Sequence, residues 1–144
     1  MSAGAAKRFR EYWETLSPER VGQIGSYYTE DAYFCDPFNE VRGIVELKRI
    51  FAHMFVQLHE PRFRILEVIE QDSGAFLIWD FTFRMKSYKP EVTQTIHGGS
   101  HVRFAADGRV EYHRDYWDAA GELYAKLPVI GALMRWLARK LGSE

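Results

Sequence analysis

VTQTIHGGSHVRFAADGRVEYHRDYW, residues 92–117, reads as two strands joined at Asp107-Gly108. In the first, Val92, Ile96, Val102 and Phe104 alternate with Thr93, Thr95, His97, His101 and Arg103, so even-numbered positions point inward. Gly98 and Gly99 permit a bulge that would spoil the count before them but not after. The second strand is ambiguous alone: Val110, Tyr112 and Tyr116 form an apolar set, Glu111, His113 and Asp115 a polar one. The hairpin settles it. A two-residue Asp-Gly loop pairs Ala106 with Arg109, and hence Phe104 with Glu111, Val102 with His113 and Ser100 with Asp115. Paired residues share a face, so His113, Asp115 and Trp117 are predicted to point inward. A four-residue loop keeps that parity; a three-residue loop reverses it.

The same period of two extends upstream through strands at 62–71 and 75–86, with Asp72-Ser73-Gly74 as their turn. Leu77, Trp79, Phe81, Phe83 and Met85 share the inward face of the second of these, and a loop at 87–90 follows. Before residue 60 the period is helical. Ala5, Phe9, Tyr12 or Trp13, and Leu16 mark one amphipathic helix. Ser17-Pro18 is an N-cap followed by proline at the first helical position, and Val21, Ile24 and Tyr28 carry that stripe to about Tyr28. A short strand at 32–36 is ended by Pro37. A third helix runs from Ile44 to about His59 on Ile44, Leu47, Phe51, Phe55 and Leu58. Helices first and meander second is an α+β order, predicting helices packed on one face of a curved antiparallel sheet with a pocket between the layers.

The chain has 144 residues, 47% of them hydrophobic, which suits one domain. A formal charge of -1 argues against a nucleic-acid partner held by a broad basic face. The single cysteine, Cys35, excludes an internal disulfide framework and fits a reducing cytoplasm. MSAGAAKRFREYW holds no apolar run of signal-peptide length, so a cytoplasmic location is expected. Aromatic residues make up 15% of the chain, more ring surface than a small core usually needs.

A carboxylate and an imidazole two residues apart, Asp115 and His113, are thus expected among rings, where burial would favour proton transfer. The alternative is an Asp115 simply satisfied by Ser100 or Arg42. No metal is expected: His97 and His101 are about 13 Å apart on a strand, too far to share an ion. His53 and His59 lie on different sides of their helix. Cys35 points away from Asp36 and reads as a structural thiol.

The segments YYTEDAYFCDPFNEVRG, 27–43, and HRDYWD, 113–118, with this order of elements, resemble the nuclear-transport-factor-2-like superfamily, whose cone-shaped fold SnoaL-like polyketide cyclases, ketosteroid isomerases and limonene epoxide hydrolases share. The resemblance covers roughly residues 7–119 and implies a cone, with 120–144 as a C-terminal amphipathic helical extension. Aligned with ketosteroid isomerase, Asp36-Pro37 lands on the catalytic base and Tyr12 on the oxyanion-hole tyrosine. Ser100 stands where that family keeps a protonated aspartic acid. Aligned with limonene epoxide hydrolase, Asp115 lands on an aspartate that helps activate water. That family's Arg-x-Asp pair and Tyr-x-Asn are absent: WDFTFRM and Phe34-Cys35-Asp36 stand in their places.

The reading that follows is a SnoaL-like pocket protein performing isomerase- or cyclase-type acid/base chemistry on a polyketide, terpenoid or steroid, without metal or organic cofactor. Asp36 and Asp115 would be the acid/base pair, with Tyr12, His113 and Ser100 as polar helpers. Trp79, Phe81, Phe83, Trp117, Phe51, Phe55 and Val102 would line the ligand site. The alternatives are a non-catalytic binder of such a ligand and a structural dimer module. Arg114, Tyr112, Tyr116, Arg103 and His101 fall on the outer sheet face, through which a homodimer is expected. In 120–144, Leu127, Ile130, Met134, Leu137 and Leu141 form a stripe broken by Pro128 and Gly131 into two short helices. Packing on the domain or its partner is favoured there over contact with a membrane surface.

Overall fold

A computed structural model describes residues 4–86, 89–122, 133, 136, 137 and 139–142. Helix α1 (Ala5–Glu14) buries Ala5, Ala6, Phe9, Tyr12 and Trp13, the i, i+4, i+7, i+8 face that its sequence marks. Ser17 caps α2 (Pro18–Val21), its hydroxyl accepting the Arg20 N–H at 3.2 Å. The helix ends there. A 3₁₀ turn at Ile24–Ser26 follows, and strand β1 (Tyr28–Cys35) starts at Tyr28 rather than Ala32. The spacing of Val21, Ile24 and Tyr28 imitates a helical stripe, but all three are buried from separate elements.

After β1, a turn at Pro37 leads into a short strand unmarked by any apolar alternation, β2 (Glu40–Arg42). Helix α3 (Ile44–Gln57) sets Leu47 and Phe51 into the core, each burial stabilising by roughly 1.5–3 kcal/mol. It stops at Gln57, because β3 (Leu58–Glu70) begins directly. Pro61 lies within β3, next to a register shift between His59 and Arg62, on an edge strand where its missing N–H costs no ladder bond. Strands β4 (Gly74–Met85), β5 (Thr93–Phe104) and β6 (Val110–Trp117) complete a six-stranded sheet ordered β2-β1-β6-β5-β4-β3. One pair departs from the antiparallel expectation: β1 runs parallel to β6. Helices α1 and α3 cover the inner face of the curved sheet.

The hairpin between β5 and β6 has three loop residues, not two. The Ala105 N–H donates to Arg109 O at 2.7 Å, and Gly108, at φ 89°, closes the turn with its N–H on Ala105 O. Alone this would reverse the parity. An extra residue corrects it: Phe104 pairs with Val110, Arg103 with Tyr112, and Glu111 bulges between them. Val102 therefore still faces His113, and Ser100 faces Asp115. The ladder runs unbroken through Gly98 and Gly99, where a Cβ would meet the rings of Trp79 and Phe76. These glycines give space to rings and form no bulge.

Part of the loop at 87–90, Ser87 and Tyr88, lies outside the described residues. So does the division of the C-terminal segment into two helices. Ala119–Glu122 forms α4, and the Glu122 carboxylate accepts the His97 N–H at 2.9 Å. Farther on, Leu133, Trp136 and Leu141 are exposed. No helix among the described residues is long and apolar enough to cross a membrane.

Candidate functional site

The corrected parity of β6 turns His113, Asp115 and Trp117 towards the helices. His113, 2% exposed, is surrounded by the rings of Phe9, Trp13, Tyr28 and Phe34. Its two nitrogens are both engaged, Nδ1 with the Tyr28 hydroxyl at 2.7 Å and Nε2 with Asp115 Oδ1 at 2.6 Å. Trp13 Nε1–H donates to the same Tyr28 oxygen at 3.1 Å. Burial holds the Tyr28 hydroxyl well above the usual phenol range, so it keeps its proton and is a donor. With the Tyr28 proton on Nδ1, Nε2 carries the N–H that Asp115 accepts; which nitrogen donates is set by the tautomer.

A second arm reaches Asp115 from the sheet. Trp79 Nε1–H donates to Ser100 Oγ at 2.8 Å, and the Ser100 hydroxyl donates to Asp115 Oδ1 at 2.5 Å. Two donors converge on one carboxylate oxygen. Asp115 Oδ2 has no hydrogen-bond partner among the described residues, and the side chain keeps 16% of its surface exposed. Asp115 lines a cavity of about 350 Å³, within the range of small-molecule sites. A further space of about 20 Å³, room for roughly one water molecule, shares Trp13, Phe63, Trp79 and Asp115 with the cavity.

Asp36 also lines the cavity, from just beyond the end of β1. Its Oδ1 accepts the N–H groups of Phe38 at 2.8 Å and Asn39 at 2.7 Å, folding the turn that follows. Burial, with a smaller contribution from the charge of Asp115, nevertheless raises its carboxyl above the ordinary value, outweighing those donors.

Of the residues expected to line the ligand site, Phe51, Trp79, Phe81, Phe83 and Trp117 do so. Val102 is fully buried and does not reach the cavity, while Phe55 borders a separate groove with Thr15 and Pro61. Ser100 and His113 meet at Asp115. Tyr12 does not join them. Its hydroxyl donates to Arg20 O at 2.8 Å, its ring stacks on Tyr27 at 4.0 Å, and burial pushes its hydroxyl up to about 12. The neighbouring Trp13 takes the pocket-facing place, and the hydroxyl in the site is that of Tyr28. The parity of Ala32, Phe34 and Asp36, extended backwards, reaches Tyr28; the helical reading of the preceding turn hid it. Phe63 was legible in the alternation of β3 with Ile65. No group of three or more His, Cys, Asp or Glu side chains among the described residues is placed to hold a metal ion.

The SnoaL-like domain family profile matches residues 9–113. Among solved structures, the chain is similar to a protein with a ketosteroid isomerase-like fold from Catenulispora acidiphila, in complex with trimethylamine. That match has a TM-score of 0.72 at 11% identity, covering 89% of this chain and 96% of the other. It is similar to an LEH-like epoxide hydrolase of M. tuberculosis, with a TM-score of 0.65 at 14% identity and coverage of 96% and 94%. A candidate SnoaL-like polyketide cyclase from Jannaschia matches with a TM-score of 0.69 at 13% identity, covering 83% of this chain and 87% of that one. At such identities the likeness shows the fold. Among curated proteins, none matches.

Proposed function

The chain belongs to the SnoaL-like domain family, and from that premise we propose that its cavity carries out acid/base proton transfer, of isomerase or cyclase type, on a small hydrophobic compound of polyketide, terpenoid or steroid kind. The observation that carries the reading is Asp115 in the lining of a ring-walled cavity, its Oδ1 fixed by His113 and Ser100 and its Oδ2 without a hydrogen-bond partner among the described residues. A carboxylate held in one orientation with one oxygen open is a general base waiting for a C–H proton. In that step Asp115 Oδ2 forms the O–H bond, and the C–H electron pair moves into the substrate. Asp36, whose carboxyl keeps its proton to higher pH than usual, is suited to return one.

The test is α-deuteration of 2-tetralone in D₂O at neutral pH, followed by NMR. Wild-type protein is expected to accelerate exchange over buffer, and Asp115→Asn to lower that rate by about 10²–10⁴. An unchanged rate in a folded Asp115→Asn variant would sink the assignment. Ligand binding with no exchange in the wild type selects the non-catalytic binder instead.

We also propose that two copies pair through the outer face of the sheet. There Tyr33 stacks on Tyr112 at 5.3 Å, and Arg103 and Arg114 lie over Tyr112 and Tyr116. Tyr116 and Ile69, 48% and 50% exposed, give this face an apolar content that supports a partner.

A further inference from the structure

We infer that Tyr28 is a positioning residue of this site: it holds the far nitrogen of His113, fixes the plane of the imidazole, and through it sets how the Asp115 carboxylate is presented to the cavity. This assignment, which rests on the reading of Asp115 as the base, adds the group that keeps that base in place.

A carboxylate on a strand is not oriented by its own chain. The last torsions of aspartate and histidine are broad and roughly two-fold, so the carboxyl and the imidazole turn until a partner stops them. Asp115 Oδ1 is met by the Ser100 hydroxyl from β5 at 2.5 Å and by His113 Nε2 from its own strand at 2.6 Å. Ser100 has a footing of its own, the Trp79 Nε1–H at 2.8 Å. His113 has one other polar contact among the described residues, the Tyr28 hydroxyl on Nδ1 at 2.7 Å. The rings of Phe9, Trp13 and Phe34 pack on the imidazole at steep angles and give it no second polar partner. A half-turn of the imidazole would set carbon atoms against both Tyr28 and Asp115 and lose two hydrogen bonds.

Tyr28 serves the imidazole in any protonation state, because a phenol hydroxyl both donates and accepts. It is itself fully buried and anchored, its oxygen accepting the Trp13 Nε1–H at 3.1 Å and its ring plane lying 11° from that of His113. Without the Tyr28 hydroxyl the imidazole loses its stop, and the Ser100 bond becomes the one firm hold on Asp115. A carboxylate held at one point swings about it, and small displacements of a reacting group lower the rate steeply. Tyr28 does not line the cavity. Its hydroxyl acts on a substrate through His113 and Asp115, so its removal belongs to the chemical step and spares binding.

The experiment is Tyr28→Phe, which removes the hydroxyl and keeps the ring. In the 2-tetralone assay run over a range of concentrations, the maximal exchange rate is expected to fall by about tenfold or more while KM stays within about twofold of wild type. In long-range ¹H–¹⁵N spectra, the two ring nitrogens of His113 are expected to shift in the variant. Both changes are required: either one alone overturns the inference, as does a loss carried by KM. Exchange that Asp115→Asn abolishes and Tyr28→Phe spares defeats the inference alone. Absence of exchange in the wild type defeats the acid/base reading, and the inference falls with it. Should Tyr28→Phe fail to fold, 3-fluorotyrosine in place of Tyr28 keeps the hydroxyl and makes it more acidic. The His113 signals and the maximal rate are then expected to move together at constant KM, and unmoved values overturn the inference.

Discussion

Asp36 and Asp115 are chemically the same residue, one just beyond the end of β1 and the other on its neighbour β6, and their surroundings differ. Asp115 is held by two donors on one oxygen; Asp36 spends its oxygens on the amides of the turn that follows it. Because burial raises the Asp36 carboxyl in the folded chain, the folded state holds this proton more strongly than the unfolded state. Its contribution to stability is therefore full below the unfolded value, about 3.9, and is lost as pH rises through the higher folded value. The difference in melting temperature between Asp36→Asn and wild type is expected to move in favour of the variant as pH rises from about 3 to about 7. Parallel thermal melts across that range check it; a difference that is flat or of opposite slope contradicts it. The identity of both carboxylates could be read from the chain, but not this contrast. Pairing already set Ser100 and His113 beside Asp115, but the fold of Phe38 and Asn39 back onto Asp36 is turn geometry, which alternation does not encode. Tyr12 illustrates the same limit, since one step around α1 separates it from Trp13 and only the packing decides which enters the pocket.

Between strands, the information lies in what a side chain would displace. A Cβ on Gly98 would stand 2.7 Å from Trp79 Cη2 and 2.8 Å from Tyr116 O. The first neighbour is a wall of the cavity and the donor to Ser100; the second is backbone and cannot yield cheaply. Gly98→Ala is expected to cost about 1–3 kcal/mol and to shift Trp79 emission, measurable by chemical denaturation monitored through fluorescence. An unaltered midpoint and spectrum would show that the strands have room to relax. A paired glycine in the sequence suggests irregularity, and here it marks the opposite, a regular ladder with bulky neighbours. The β5–β6 turn makes a related point. Its Asp-Gly suggests a two-residue loop, the chain uses three, and the Glu111 bulge restores the facing of His113 and Asp115. The pattern of paired residues survived because burial of Val110 and His113 together fixes the register more strongly than the turn does.

For the whole molecule, the aromatic excess divides between the two faces of one sheet. The inner set lines the cavity, while Tyr33, Tyr112, Tyr116 and Phe76 lie with Arg103 and Arg114 outside. The wild-type chain is expected to sediment as a dimer and Tyr116→Asp as a monomer whose cavity still takes up ligand. Analytical ultracentrifugation checks this, and a variant that remains dimeric would remove the outer face as the contact. The α+β order and the inward rings were legible in periodicity, while the inward His113 and Asp115 were inferred from a two-residue hairpin that the chain replaces with three residues and a bulge. The parallel partner of β1 was not legible, because nothing local in 28–35 specifies a strand 80 residues away.

That distant pairing has a consequence for how the protein becomes competent. The bond from Tyr28 to His113 joins positions 85 residues apart, the two ends of the sheet-forming chain. Closing so long a loop is entropically late, since the local hairpins β3–β4 and β4–β5 form without it. The orientation of His113, and with it that of Asp115, is thus completed only when the first strand docks beside the last. A chain in which β1 has not yet docked would thus hold the hydrophobic walls without a positioned Asp115.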